Sequence, residues 1–259
     1  MTPVFSRVRF IMTSPSHPGN VGAAARAIKT MGFSSLVLVT PKLDDITLHP
    51  DAIAMASGAD DILSGALITA SLEEALAPVT RAYALTARPR DIGPPVCDIR
   101  EAAAESRELL ASQDDASVAI VLGTERSGLT NAHIALCQRI CHIPANPEYS
   151  SLNVAQALQL AAWEMRYALG AEGRALPQTP IHSVDPGTAL ASNGQVQAFL
   201  EHWREALVAV GFLDPEHPKK LVPRMQHLFG RSALTRDEVD MMRGVCTAML
   251  APQNYRKQD

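Results

Sequence analysis

Short apolar runs alternate with helical periodicities along most of this chain, and that alternation constrains its fold more than any other feature. Val8, Phe10 and Met12 alternate with polar neighbours, and Ser35–Val39 is a buried-type strand closed by Pro41. Arg81–Thr86 is another short strand, Val118–Leu122 is the most apolar one, and a further strand lies around Ile140–Ile143. Between them, Val21, Ala24, Ala25 and Ile28 share one helical face, with Asn20 expected as N-cap and Gly32 at C′. Shorter helices are expected around Asp51–Ser57, Leu72–Leu76 and Ala132–Cys137, and a longer one near Ile99–Ala111. This β–α order, kept through about residue 170, predicts an α/β domain with an open, mostly parallel sheet and helices on both faces. Ligands of such sheets sit at the carboxyl ends of the strands. The loops Ser14–Asn20, Thr86–Asp91, Gly123–Gly128 and Ala145–Ser151 all follow strands and belong on that one edge.

Beyond Gly170 the pattern stops, and Gly173, Pro177, Pro180, Pro186 and Gly187 mark a linker. Helical periodicity resumes over Gln195–Val210, Leu221–Phe229 and Asp237–Leu250, the last with Thr235 and Glu238 placed for a capping box. The expected division is therefore a first domain over 1–170, a linker over 171–194 and a small α-helical C-terminal extension over 195–259. Net charge is −4, so the chain as a whole is no basic nucleic-acid binder, and phosphate contacts would need a local patch. Lys219, Lys220, Arg224, His227, Arg231, Arg236 and Arg243 make such a patch in the extension, read either as solvated helix faces or as a surface for something acidic.

Several classes are excluded or disfavoured. No apolar run is long enough to span a membrane, and the N-terminus lacks a signal-type apolar region, so a soluble cytoplasmic protein is expected. Cys97, Cys137, Cys141 and Cys246 show no paired spacing. Cys137 and Cys141, four apart on one helical turn or at a helix end, have only His142 nearby, so neither a metal nor a disulfide is implied. There is no G-x-G-x-x-G after the first strand, no G-K-[ST] and no G-x-S-x-G.

Three segments carry chemistry, each with a structural reading beside it. In Asn20-Val21-Gly22-Ala23-Ala24-Ala25-Arg26, Asn20 and Arg26 flank small residues that admit close backbone approach. A capping Asn and a snorkelling Arg would account for the same residues. Gly123-Thr124-Glu125-Arg126-Ser127-Gly128-Leu129 is either a polar strand-to-helix turn or a ligand grip. Ile143–Val154 runs from a strand through a proline turn into a helix on which Val154, Ala157, Leu158, Ala161, Ala162 and Met165 share a face. Ser150, Ser151 and Asn153 all offer cap chemistry there, Asn153 pairing with Gln156, and the free N–H groups of the helix start can hold a polar ligand.

In this order and spacing the segments resemble the three signature motifs of the SpoU/TrmH group of SPOUT-class RNA 2′-O-ribose methyltransferases. Motif one falls at Asn20–Arg26, motif two at Ile120–Gly128 and motif three at Ile143–Ala155. Within the group, His17-Pro18-Gly19-Asn20-Val21-Gly22, Lys29–Gly32 and Ala145–Asn153 are similar to the TrmJ branch, which modifies the ribose at position 32 of the tRNA anticodon loop. Phe229-Gly230-Arg231 and Asp237-Glu238-Val239 are also similar to that branch.

The resemblance implies a C-terminal trefoil knot in the α/β domain, a homodimer, and S-adenosylmethionine bound largely by backbone groups. Leu85, Thr86, Ala87, Gly123, Ile143, Ser150, Ser151 and Leu152 would line that cofactor site. Arg26, Asn20, Glu125 and Ser151 would be catalytic, and Arg88 and Arg90 would contact tRNA phosphates. Arginine stays protonated, so Arg26 is read as gripping a phosphate and stabilising the developing alkoxide, with the phosphate or a water taking the proton. The alternatives are a 2′-O-methyltransferase for another tRNA position or ribosomal RNA, a non-catalytic RNA-binding module, and a small-molecule α/β enzyme.

Overall fold

A computed structural model of the chain describes residues 4–88, 93–170 and 189–251. Strands β1 (Val8–Thr13), β2 (Ser35–Val39), β3 (Leu67–Thr69), β4 (Arg81–Leu85), β5 (Val96–Asp98), β6 (Val118–Leu122) and β7 (Arg139–His142) form one seven-stranded sheet. Their order is β3-β2-β1-β6-β4-β7-β5, and every pairing is parallel. The expected sheet is thus present. Its continuous apolar strands follow from burial on both faces.

Alternation within each strand sorts side chains between two layers. Phe10, Met12, Tyr83, Ile120 and Leu122 meet helices α1 (Pro18–Thr30), α2 (Pro50–Ala56), α3 (Asp60–Ser64), α5 (Ile99–Ser112) and α7 (Val154–Leu169). Ile11, Val37, Ala84, Val121 and Ile140 meet α4 (Leu72–Leu76) and α6 (Asn131–Ala135) on the other face. β3, β5 and α3 were not foreseen, because pieces of three to five residues are too short to display a period.

Helix starts decide where the polar side chains of the motifs go. α1 begins at Pro18, whose fixed φ suits the first turn and whose missing N–H costs nothing there. The N-cap is therefore His17, in extended backbone and without a side-chain cap bond. Asn20 is inside the first turn, which corrects its expected role as the cap and frees its side chain. Gly32 takes φ 78° just past the helix end, as expected. Asn153 caps α7, accepting from the N–H groups of Ala155 (2.9 Å) and Gln156 (3.3 Å). Ser150 and Ser151 do not cap it.

The extension contains α8 (Asn193–Ala209), α9 (Leu221–Arg231) and α10 (Arg236–Leu250), with the Thr235–Glu238 capping box formed. These helices enclose a separate core built on Phe199, Leu200, Val239 and Cys246. Phe229 meets Phe199 edge-on with ring centroids 4.8 Å apart. The extension docks at the amino ends of β4, β6 and β7. Asn193 donates its backbone N–H to Val79 O (2.8 Å) and its side-chain amide to Leu136 O (3.0 Å). Gln113 accepts from the Leu190 N–H (3.2 Å), and Arg236 pairs with Asp115. Most of the expected linker lies outside the described residues.

All four cysteines are buried and free. Cys137 follows α6 and Cys141 lies within β7, so they do not share a helical turn, whereas Cys97 and Cys141 are register partners on β5 and β7. Among the described residues no group of three or more His, Cys, Asp or Glu could hold a metal ion, and no helix is long and apolar enough to cross a membrane.

Gly22 packs α1 against the backbone of α2. A Cβ there would lie 2.0 Å from the Ala52 carbonyl oxygen, which is backbone and cannot swing aside. Gly22→Ala is expected to push the helices apart and destabilise the fold by about 1–3 kcal/mol, the range for overpacking, read from urea unfolding midpoints.

Candidate active site

The carboxyl ends of β6, β4 and β7 lie side by side, and the loops leaving them converge. After β6 the chain turns on Gly123, where a Cβ would fall 2.0 Å from the Gly128 carbonyl carbon, so only glycine fits. The loop is closed by the Gly128 N–H on Thr124 O (3.0 Å) and by the Ser127 N–H on Thr124 Oγ1 (3.1 Å). This tight turn presents Glu125 to the β1–α1 loop.

Glu125 gathers donors from that loop. Ser16 gives its N–H (3.3 Å) and its hydroxyl (3.0 Å), His17 its N–H (3.2 Å), and Asn20 its side-chain amide (3.3 Å). Partial burial alone would raise the Glu125 carboxyl. Its own N–H and the bonds from Asn20, Ser16 and His17 outweigh burial and hold it below the usual carboxylate range.

A chain of amides then reaches α7. The carboxylate only accepts, so Asn20 must face it with its NH₂ and turn its oxygen away. That oxygen accepts from Asn153 Nδ2 (3.0 Å), which leaves Asn153 Oδ1 for the α7 N–H groups. Both amide orientations are thus dictated by the network. Glu125 of the second motif, Asn20 of the first and Asn153 of the third are joined by consecutive hydrogen bonds.

The other expected residues surround this chain to different degrees. Leu85 is buried at the end of β4, and the Thr86 N–H continues the ladder to Cys141 O (2.9 Å). Thr86 Oγ1 accepts from the Arg88 N–H (3.2 Å), Ala87 is exposed, and Arg88 Nη2 approaches the Arg126 carbonyl at 3.4 Å. Ile143 is half-buried against the core, Ser150 is half-buried, and Ser151 and Leu152 are exposed. Arg26 is exposed on α1 and bonds to neither Asn20 nor Glu125, whereas Asn20 bonds Glu125. Arg90 lies outside the described residues. Ser16 and His17 were missed as site residues. The signal available was Pro18, which as a first-turn proline makes His17 the cap and brings its loop over the strand ends.

The SpoU rRNA Methylase family pattern matches residues 7–163, and the pattern of the tRNA methyltransferase TrmJ C-terminal domain matches residues 194–259. A curated relative from Pseudomonas aeruginosa, tRNA (cytidine/uridine/adenosine-2′-O-)-methyltransferase TrmJ, is 41% identical over 246 residues, 94% of each chain. The crystal structure of TrmJ from Z. mobilis superposes with a TM-score of 0.77 at 30% identity, covering 93% of this chain and 98% of that one. A probable methyltransferase from Bordetella pertussis is 71% identical, with a TM-score of 0.62, covering 65% of this chain and 99% of that one.

Glu125→Gln keeps the shape but removes the charge and brings an NH₂ to a place already crowded with donors. The depressed carboxyl contributes stability that is present above the ordinary glutamate range and lost as pH falls through the folded value. The variant is expected to be less stable than the parent at neutral pH by about 1–2 kcal/mol, with the gap closing in acid, read from denaturant melts across a pH series.

Proposed function

The chain belongs to the SpoU methylase family, and from that premise we propose that this methyltransferase uses S-adenosylmethionine to methylate a tRNA ribose 2′-hydroxyl, at cytidine or uridine 32 of the anticodon loop. The observation that carries the reading is the bonded chain Glu125–Asn20–Asn153, which unites residues of all three motifs at the carboxyl edge of the sheet. The names of the TrmJ relatives support tRNA as the substrate.

The strand ends fit the cofactor. Leu152 is 38% exposed and Ile143 half-buried, which leaves apolar surface for an adenine ring, and the small residues Ala87 and Gly123 leave backbone groups within reach. Leu85, Thr86, Ala87, Gly123, Ile143, Ser150, Ser151 and Leu152 would hold it, and bound there it supplies an electrophilic methyl group. Arg26 grips the phosphate next to the target ribose and stabilises the developing alkoxide. Glu125 and Asn20 hold the loop geometry, Ser151 bonds near the ribose, and Arg88 and Arg90 contact phosphates.

The same reading includes a homodimer, supported by Leu160, Trp163 and Tyr167, exposed at i, i+3 and i+7 on α7. It includes a trefoil knot, with support from β6 inserted between β1 and β4 and β7 between β4 and β5. It includes work in the cytoplasm, where tRNA is modified, and the division into residues 1–170, a linker and the extension from 195. In the extension, Lys220, Arg224, His227 and Arg231 fall on one face of α9 or its start, and α9 contains no acidic residue. Among the described residues Lys220, Arg224 and Arg231 have no ion-pair partner, which suits phosphate contact.

Nucleoside mass spectrometry of tRNA incubated with the protein and S-adenosylmethionine tests the reading. It requires a 2′-O-methylated product mapped to position 32, and methylation at another position or of ribosomal RNA alone would replace it. Arg26→Ala is expected to lower methyl transfer about 10²-fold or more with cofactor affinity unchanged by calorimetry. Arg224→Glu with Arg231→Glu is expected to weaken tRNA binding and flatten its salt dependence by roughly one unit of slope per lost contact. Cofactor binding should be unaffected.

A further inference from the structure

The proposed reaction needs a group to take the proton of the 2′-hydroxyl, and the residues already assigned do not supply one. Arg26 stays protonated. Glu125 is occupied by donors from Ser16, His17 and Asn20, and Asn20 and Asn153 do not titrate. Among the described residues one titratable side chain bonded to this network is left, that of His17.

Ser16 Oγ lies 3.0 Å from Glu125 Oε2 and 2.9 Å from His17 Nδ1. A hydroxyl has a single proton, and an ionised carboxylate can only accept, so the Ser16 proton goes to Glu125. The contact with the imidazole must then run the other way, with His17 Nδ1–H donating to Ser16 Oγ. Neutral His17 consequently carries its lone pair on Nε2. That nitrogen has no hydrogen-bond partner among the described residues, and the side chain is 71% exposed. The backbone beneath it is held, because the His17 N–H is on Glu125 and the first-turn proline follows directly. His17 Nδ1 is also 3.6 Å from Glu125 Oε1. Among the described residues Glu125 is the one charged group paired with the ring. Arg26 of α1, Lys42 of the loop after β2, whose N–H bonds Pro15 O, and Arg88 and Arg126 of the neighbouring loops are among the cations of the motif segments and strand-end loops.

Resting on the function proposed above, we propose that His17 Nε2 is the proton acceptor in methyl transfer. The ribose oxygen loses its proton to Nε2 while its lone pair forms the new bond to the methyl carbon. The carbon–sulfur bond breaks with its electron pair on sulfur, so the sulfonium leaves as a neutral thioether and the positive charge passes to the imidazolium. Ser16 and Glu125 hold that charge until the ring returns its proton to water.

The test is steady-state kinetics of the full chain on tRNA. His17→Gln, which leaves the helix cap to the backbone as in the parent, should lower kcat about 10²–10⁴-fold, the usual contribution of a general base. KM for tRNA and cofactor affinity should stay within about twofold. The acid limb of the parent's rate–pH profile should be absent from the variant. Added imidazole should partly restore His17→Gly, an effect that a purely structural role would not produce. If His17→Gln keeps the parent's kcat and its acid limb, the assignment is overturned. If the parent itself methylates no RNA, it is the proposed function that fails.

Discussion

An ionised carboxylate accepts hydrogen bonds and donates none, and at Glu125 that asymmetry sets the direction of every bond around it. Asn20 must present its NH₂ and Ser16 its hydroxyl proton, so the Asn20 oxygen is left for Asn153, and Asn153 in turn has its oxygen free to cap α7. One charge thereby orients two amides, a hydroxyl, an imidazole and the start of a helix. The arrangement brings together the β1–α1 loop, the turn after β6 and the entry to α7, which are far apart in the chain. Its strength comes from charge-assisted bonds in a half-buried setting, where leaving any donor unmatched is costly.

The parallel sheet divides the molecule into two working edges. All seven strands run the same way, so every strand-to-helix loop opens at one end and every helix-to-strand return at the other. The Glu125 network occupies the carboxyl end. The extension docks at the amino end through Asn193, Gln113 and Arg236.

Much of the fold was legible in the residues. The apolar runs at Val8, Ser35, Arg81, Val118 and Ile140 all became strands, and the Thr235–Glu238 box formed as its spacing required. The misses have physical causes. β3, β5 and α3 are too short for a period to register. Asn20 has the chemistry of an N-cap, yet Pro18 is the better first-turn residue, and moving the cap three positions back to His17 converts Asn20 from a cap into a ligand for Glu125. Ser150, Ser151 and Asn153 offered equivalent caps. Asn153 fills the role, and its amide serves α7 and Asn20 at once.

By itself, then, the sequence determined the element order, the two-sided burial of the sheet and the edge on which polar loops gather, because period and turn chemistry are written in neighbouring residues. Tertiary structure alone decided which of those polar residues meet. Asn20 and Glu125 are 105 positions apart and Asn20 and Asn153 are 133 apart. Only the sheet, by laying the ends of β1 and β6 side by side, makes them neighbours. The direction of each hydrogen bond, and with it the free lone pair on His17, follows from that proximity and from no local pattern.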